Sequence, residues 1–159
     1  YNLPERFALE YAAPDNTAKR PVMIHRAPFG SMERFVGILI EHFAGKFPLW
    51  LSPEQIRVLP ITDDHLAYAQ QITKQLVAAG LRCTVDEKPE KLGAKIRDAR
   101  NARASYFAVV GGQEVTDGTV ALQTQAGVKV GTLTIDALIA KLQAEITAMT
   151  LPAAETPTT

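Results

Sequence analysis

Apolar residues recur at every second position in parts of this chain and at every third or fourth in others. From Arg6 to Tyr11, Phe7, Leu9 and Tyr11 alternate with Ala8 and Glu10, the period of a strand. Ala13-Pro14-Asp15-Asn16-Thr17 is a turn cluster. Pro21 to Ala27 reads as a second strand, antiparallel to the first, and Pro28 ends it. Gly30-Ser31 then opens a helix, with Ser31 as its N-cap. Phe35, Ile38, Leu39 and Phe43 follow at helical spacing, and Gly45 supplies the stop. Lys46 to Pro53 holds two prolines among bulky apolar residues and reads as a packed linker.

Beyond the linker the pattern alternates strand and helix. Strands are predicted over Gln55 to Ile61, Leu81 to Val85, Tyr106 to Val110 and Thr119 to Gln125. Thr62-Asp63-Asp64 caps a helix from His65 to Ala79, which Gly80 ends. Glu90 to Arg103 is a basic helix with an apolar edge of Leu92, Ile96 and Ala99. Ile135 to Met149 is an amphipathic helix through Leu138, Leu142 and Ile146. The continuous apolar run of Tyr106 to Val110 is that of a strand buried on both faces. The order predicts an α/β fold, a mixed, mostly parallel sheet flanked by helices on its faces, preceded by a short strand-strand-helix piece. The expected organisation is 1–46, a linker at 47–53, a domain at 54–150 and a disordered tail at 151–159.

Composition narrows the classes. Of 159 residues, 47% are hydrophobic and 21% charged, the balance of a folded globular chain. Lys plus Arg and Asp plus Glu both count 17, so any contact with nucleic acid must come from a local patch. A single cysteine, Cys83, excludes an internal disulfide framework and fits a reducing, cytoplasmic setting. It reads as a small apolar strand residue. No apolar run approaches the roughly 18 residues of a membrane span. The start at Tyr1, without an initiator Met, suggests a piece of a longer protein.

The stretch Arg20 to His42, RPVMIHRAPFGSMERFVGILIEH, resembles the motif 3 region of class II aminoacyl-tRNA synthetases of the threonyl type. Phe43 to Pro53 resembles their link into the anticodon-binding domain. Asp86 to Arg97 resembles the start of that domain's basic helix, and Val109 to Glu114 the turn after its third strand. The resemblance covers nearly all of the chain except the tail.

It implies that the whole protein activates threonine with ATP and Mg and charges tRNA(Thr), as a homodimer. Arg34 would neutralise ATP, beside Ser31 and Gly30. His25 would be one of three zinc ligands, the zinc holding the threonine amino and hydroxyl groups. Lys88, Glu90, Lys91, Lys95 and Arg97 would contact the anticodon stem-loop, with Glu114 and Gln123 at base edges. These residue types suit the chemistry: a fixed guanidinium stabilises developing phosphate charge, and a three-ligand zinc leaves room for substrate. The isolated chain, lacking motifs 1 and 2, is expected to be inactive.

Each residue also has a plainer reading. His25 alone would be a hydrogen-bonded core histidine, and Arg34 a solvated charge or a partner of Glu33 or Glu41. Gly30 would be a turn residue. The row Lys88, Lys91, Lys95, Arg97, Arg100 and Arg103 would be a solvated face. The family pattern has arginines where this chain has Lys88, Gln123 and Gln125, and asparagine at Pro89. Two readings stay open: an anticodon read by amides, or a free-standing tRNA-binding or regulatory module derived from a synthetase. A structural or dimerising accessory role is a third.

Overall fold

Pro4 places a fixed φ in the first turn of a helix, where its missing N–H costs nothing, and a computed structural model shows Leu3–Arg6 as that helix, α1. The structure describes residues 1–151, so the tail expected at 151–159 lies, from Pro152 on, outside the described residues. Two compact units divide at Ile38 and Leu39.

In the first unit the two strands are residue pairs: β1 (Tyr11–Ala12), at the end of the first expected strand, and β2 (Ala18–Lys19), which lies before the second expected strand and not in it. They are antiparallel, with Tyr11 opposite Lys19. Between them Asp15 accepts from the Thr17 backbone N–H at 3.2 Å and the Thr17 hydroxyl at 2.7 Å. Lys19 adds an ion pair at 3.1 Å. These donors hold the Asp15 carboxyl below its usual range, the Thr17 hydroxyl first. Arg6 to Leu9 is not strand, because α1 takes Arg6 and a left-handed Ala8 breaks the chain's direction. Pro21 to Ala27 has no regular structure, and Val22 and Ile24 are exposed. A two-residue partner strand gives such a segment too few ladder bonds to hold it extended.

Helix α2 (Met32–Phe43) forms as its periodicity predicted and spans the division between the units. In the first unit, Phe35 stacks on Phe29 with ring centroids 4.6 Å apart. At its far end Ala44 and Gly45 both take positive φ, and the Gly45 N–H closes on the Ile40 carbonyl at 3.1 Å.

The second unit is a five-stranded sheet in the order β4-β3-β5-β6-β7. Its strands are β3 (Ile56–Pro60), β4 (Cys83–Val85), β5 (Tyr106–Val110), β6 (Thr119–Thr124) and β7 (Lys129–Thr134). β3 is parallel to both β4 and β5, while β6 and β7 are added antiparallel. The sheet is mixed, as expected, with its pairings divided evenly between the two kinds. The helices are α3 (Leu66–Ala78), α4 (Leu92–Asn101), α5 (Gly112–Asp117) and α6 (Ile135–Thr147).

The chain leaves β3 in one direction to make β4, then returns past β3 to make β5. Both crossovers keep the same hand, so α3 and α4 must lie on opposite faces. Two cores result. Ile56, Val58, Ala108 and Val110 meet α3 and α6 through Ile72, Leu76, Leu138 and Leu142. On the other face Leu59 and Phe107 meet Ala99 of α4. β5 is buried on both sides, as its unbroken apolar run predicted. Residues 47–53 pack into this unit: Leu49 is in the core, and its carbonyl accepts from the buried Gln55 amide at 2.9 Å.

Candidate nucleic-acid interface

Because β3, β4 and β5 run parallel, the loops that follow them gather at one edge of the sheet. Asp86 follows β4 and is buried, and its carboxylate accepts the Lys88 backbone N–H at 3.0 Å. The Glu90 N–H closes on the Lys88 carbonyl at 2.8 Å. This turn presents Lys88, Glu90 and Lys91 to solvent just before α4. Lys88 Nζ lies 2.7 Å from Asp98 Oδ2, which lowers the Asp98 carboxyl and raises the Lys88 ammonium from their usual values. Arg97 is exposed on the outer face of α4.

Lys95 does not join this row. It is 2% exposed, and its ammonium donates to the carbonyls of Pro60 at 3.1 Å and Asp86 at 3.5 Å. The expected RNA contact is replaced by a buried clamp between the ends of β3 and β4. The cause is helical position: Leu92, Lys95, Ile96 and Ala99 share the inward stripe of α4.

Glu114 lies on α5, at the same edge as the Lys88 turn. Its carboxylate accepts the Gly111 N–H at 2.9 Å and so caps its own helix. The short α5 was not anticipated from the apolar pattern, although Gly111 and Glu114 carry the spacing of a capping pair. Gln123 is half-buried opposite Phe107 on β5, toward the far end of the sheet from Glu114. The structure therefore brings Lys88, Glu90, Lys91 and Glu114 to one edge and leaves Gln123 on the antiparallel wing.

On that wing Gln123 faces Lys129 of β7, a strand that sequence reasoning missed. A signal existed: Gly127 sits in a short loop between two alternating runs. The Gly127 N–H closes on the Thr124 carbonyl at 2.8 Å, and the Thr124 N–H on Val128 at 3.0 Å. Lys129 is exposed and adds a cation beside Gln123.

Arg57 supports the same face of the sheet. Its guanidinium grips Glu54 with two bonds, 2.8 and 2.6 Å, and Thr84 donates to the same carboxylate. Hydrogen bonding to Glu54 raises the Arg57 pKa.

The remaining expected residues are in the first unit. Gly30 takes φ 63°, ending the turn before α2. Ser31 Oγ accepts the Arg34 N–H at 3.3 Å and donates to Glu33 at 2.6 Å, and this second bond lowers the Glu33 carboxyl. Arg34 and His25 are exposed. Among the described residues no three of His, Cys, Asp and Glu are grouped to hold a metal. His25 has no second and third potential ligand grouped with it among the described residues. Also among the described residues, no helix is long and apolar enough to cross a membrane.

Residues 55–145 match the anticodon binding domain family model. A threonine–tRNA ligase of Rhodopirellula baltica is 56% identical over 146 residues, which is 92% of this chain and 20% of that protein. One from Thermosynechococcus vestitus is 50% identical over 94% of this chain and 25% of its own length. The chain thus spans about a fifth to a quarter of the curated relatives it matches. The RNA binding domain of threonyl-tRNA synthetase from Cryptosporidium parvum superposes with a TM-score of 0.73 at 34% identity, covering 97% of this chain and 38% of that one.

Proposed function

The chain belongs to the anticodon-binding domain family, and from that membership we propose that its second unit docks the anticodon stem-loop of tRNA(Thr). The observation that carries this reading is the carboxyl edge of the parallel strands, where Lys88, Lys91 and Glu114 come together in a matched domain. Lys88, Lys91 and Arg97 supply phosphate contacts, while Glu90, Glu114 and Gln123 address bases splayed from the loop. Gln123 offers an amide, so it reads with one donor group and one acceptor rather than a guanidinium fork.

The whole protein, in the same reading, is a cytoplasmic, homodimeric threonine–tRNA ligase that activates threonine with ATP. Its nucleotide contact is Arg34, with Ser31 and Gly30 shaping the helix start. Its zinc takes His25 as one donor and, when bound, would hold the amino and hydroxyl groups of threonine. The isolated chain catalyses no ATP–pyrophosphate exchange.

A synthetic anticodon stem-loop of tRNA(Thr), titrated against the chain at two salt concentrations, tests the docking. Each of Lys88→Gln, Lys91→Gln and Arg97→Gln should weaken binding and reduce the salt slope by about 1. Affinity that is insensitive to salt, or equal for an unrelated anticodon, rejects the reading. Exchange activity in the isolated chain rejects the assignment of the missing machinery to other parts of the protein.

A further inference from the structure

The opposite edge of the sheet, where β5 begins and β6 ends, holds a cavity of about 830 Å³. That is within the roughly 300–1,000 Å³ common for small-ligand pockets. Phe47 and Pro48, from the segment before β3, form an apolar wall. Arg100 and Arg103, at the end of α4, line another side.

Both guanidiniums lie against glycines. A Cβ on Gly127 would overlap the Arg100 guanidinium, and one on Gly45 would stand 3.6 Å from Arg103 Nε. Both glycines also have positive φ, so their backbones exclude most side chains for a second reason. Among the described residues neither guanidinium has a hydrogen-bond or ion-pair partner. The acid in the wall, Glu145, is already engaged. It accepts from the Tyr106 hydroxyl at 2.8 Å and lies 3.8 Å from Lys141 Nζ. Burial and the bond to Glu145 both raise the Tyr106 pKa, so the phenol keeps its proton for that bond. Gln125 also lines the cavity, and its Nε2 is buried with no partner among the described residues. A buried amide donor without a protein acceptor is uncommon and leaves one bond open to an acceptor that enters the cavity.

We propose that this cavity binds a small phosphorylated ring compound of mononucleotide size. Arg100, Arg103 and the Gln125 amide hold the phosphate, and the ring lies against Phe47 and Pro48. Guanidiniums match phosphate through paired N–H donors, and the apolar wall accounts for the ring. The site lies at the other end of the sheet from Lys88, Lys91 and Glu114, beside Gln123 and one turn of α4 beyond Arg97.

The test is a titration of the 15N-labelled chain with 5′-AMP, adenosine and inorganic phosphate, followed by NMR. With AMP, the amides of Ser105, Gln125 and Ala126 and the Gln125 side chain should shift and saturate. Adenosine should bind about 10-fold or more weakly, because it lacks the charge-assisted bonds. The double variant Arg100→Gln, Arg103→Gln should lose about 10-fold in AMP affinity with its other amides unmoved, and Gln125→Ala should lose less. Equal binding of adenosine overturns the proposal, as do shifts centred on Met32 to Val36 instead of the cavity. So does an unchanged affinity in both variants. Phosphate binding as tightly as AMP overturns the ring assignment.

Discussion

Lys88 and Asp98, ten residues apart in sequence, meet with Nζ 2.7 Å from Oδ2. The turn after β4 is thereby tied to the middle of α4, and the Lys88 ammonium is held in one place. The carboxyl is lowered from its ordinary 3.8 and the ammonium raised from 10.5. The pair's contribution is therefore fully present between those values. It is lost as pH falls through the lowered Asp98 pKa, or rises through the raised Lys88 pKa. An NMR titration of the Asp98 carboxyl should give a midpoint below 3.8, and Lys88→Met should return it toward that value. An unchanged midpoint in the variant would show that Lys88 is not the cause.

Lys95→Met keeps the length of the side chain and removes the ammonium. The carbonyls of Pro60 and Asp86 then lose their donor in a buried site. The expected loss is about 1–3 kcal/mol in urea unfolding. A stabilised variant would mean that desolvation of the charge outweighs its bonds. Because the clamp fixes the end of β4, weaker stem-loop binding should accompany the loss, although Lys95 itself is buried.

Gly111 has φ −121°, which any residue can adopt, so its constraint is space. An alanine Cβ would stand 2.8 Å from Ile61 Cδ1 and 3.0 Å from Glu114 Oε2. The isoleucine tip can swing aside, but the carboxylate would have to leave the Gly111 N–H that it caps. Gly111→Ala should cost on the order of 1 kcal/mol by thermal or urea denaturation. It should also disturb any base contact made through Glu114. A neutral result would show that the edge tolerates an uncapped α5.

Cys83 packs against the main core, and burial pushes its thiol up to about 12. The thiolate is the reactive form, so at pH 8 labelling by iodoacetamide should be at least about 10-fold slower than for a free cysteine. Rapid labelling of the folded chain would show that the β4 edge opens.

The second unit was largely legible in advance because its strands and helices bury their apolar periods within it. Tyr106 to Val110 was readable as a strand with two covered faces from five apolar residues in a row. The first unit was not. Phe7, Leu9, Val22 and Ile24 carry a strand-like pattern, yet they are exposed in it. A period has meaning only where a surface receives it. β7 was missed for a related reason: it is an edge strand whose residues are mostly exposed, so little apolar alternation marks it.

The sequence by itself determined the α/β order of the second unit apart from α5 and β7, the two-sided burial of β5, the presence of helices α2, α3, α4 and α6, and the likeness of the chain to its family. Those follow from local periods and short motifs, which act within a few residues. Only the tertiary structure decided that Lys95 faces inward, that Glu114 and Gln123 lie toward different ends of the sheet, and that Arg100, Arg103 and Gln125 surround one cavity. Such placements depend on which strands are neighbours and which face each crossover covers, and residues far apart in sequence settle that together.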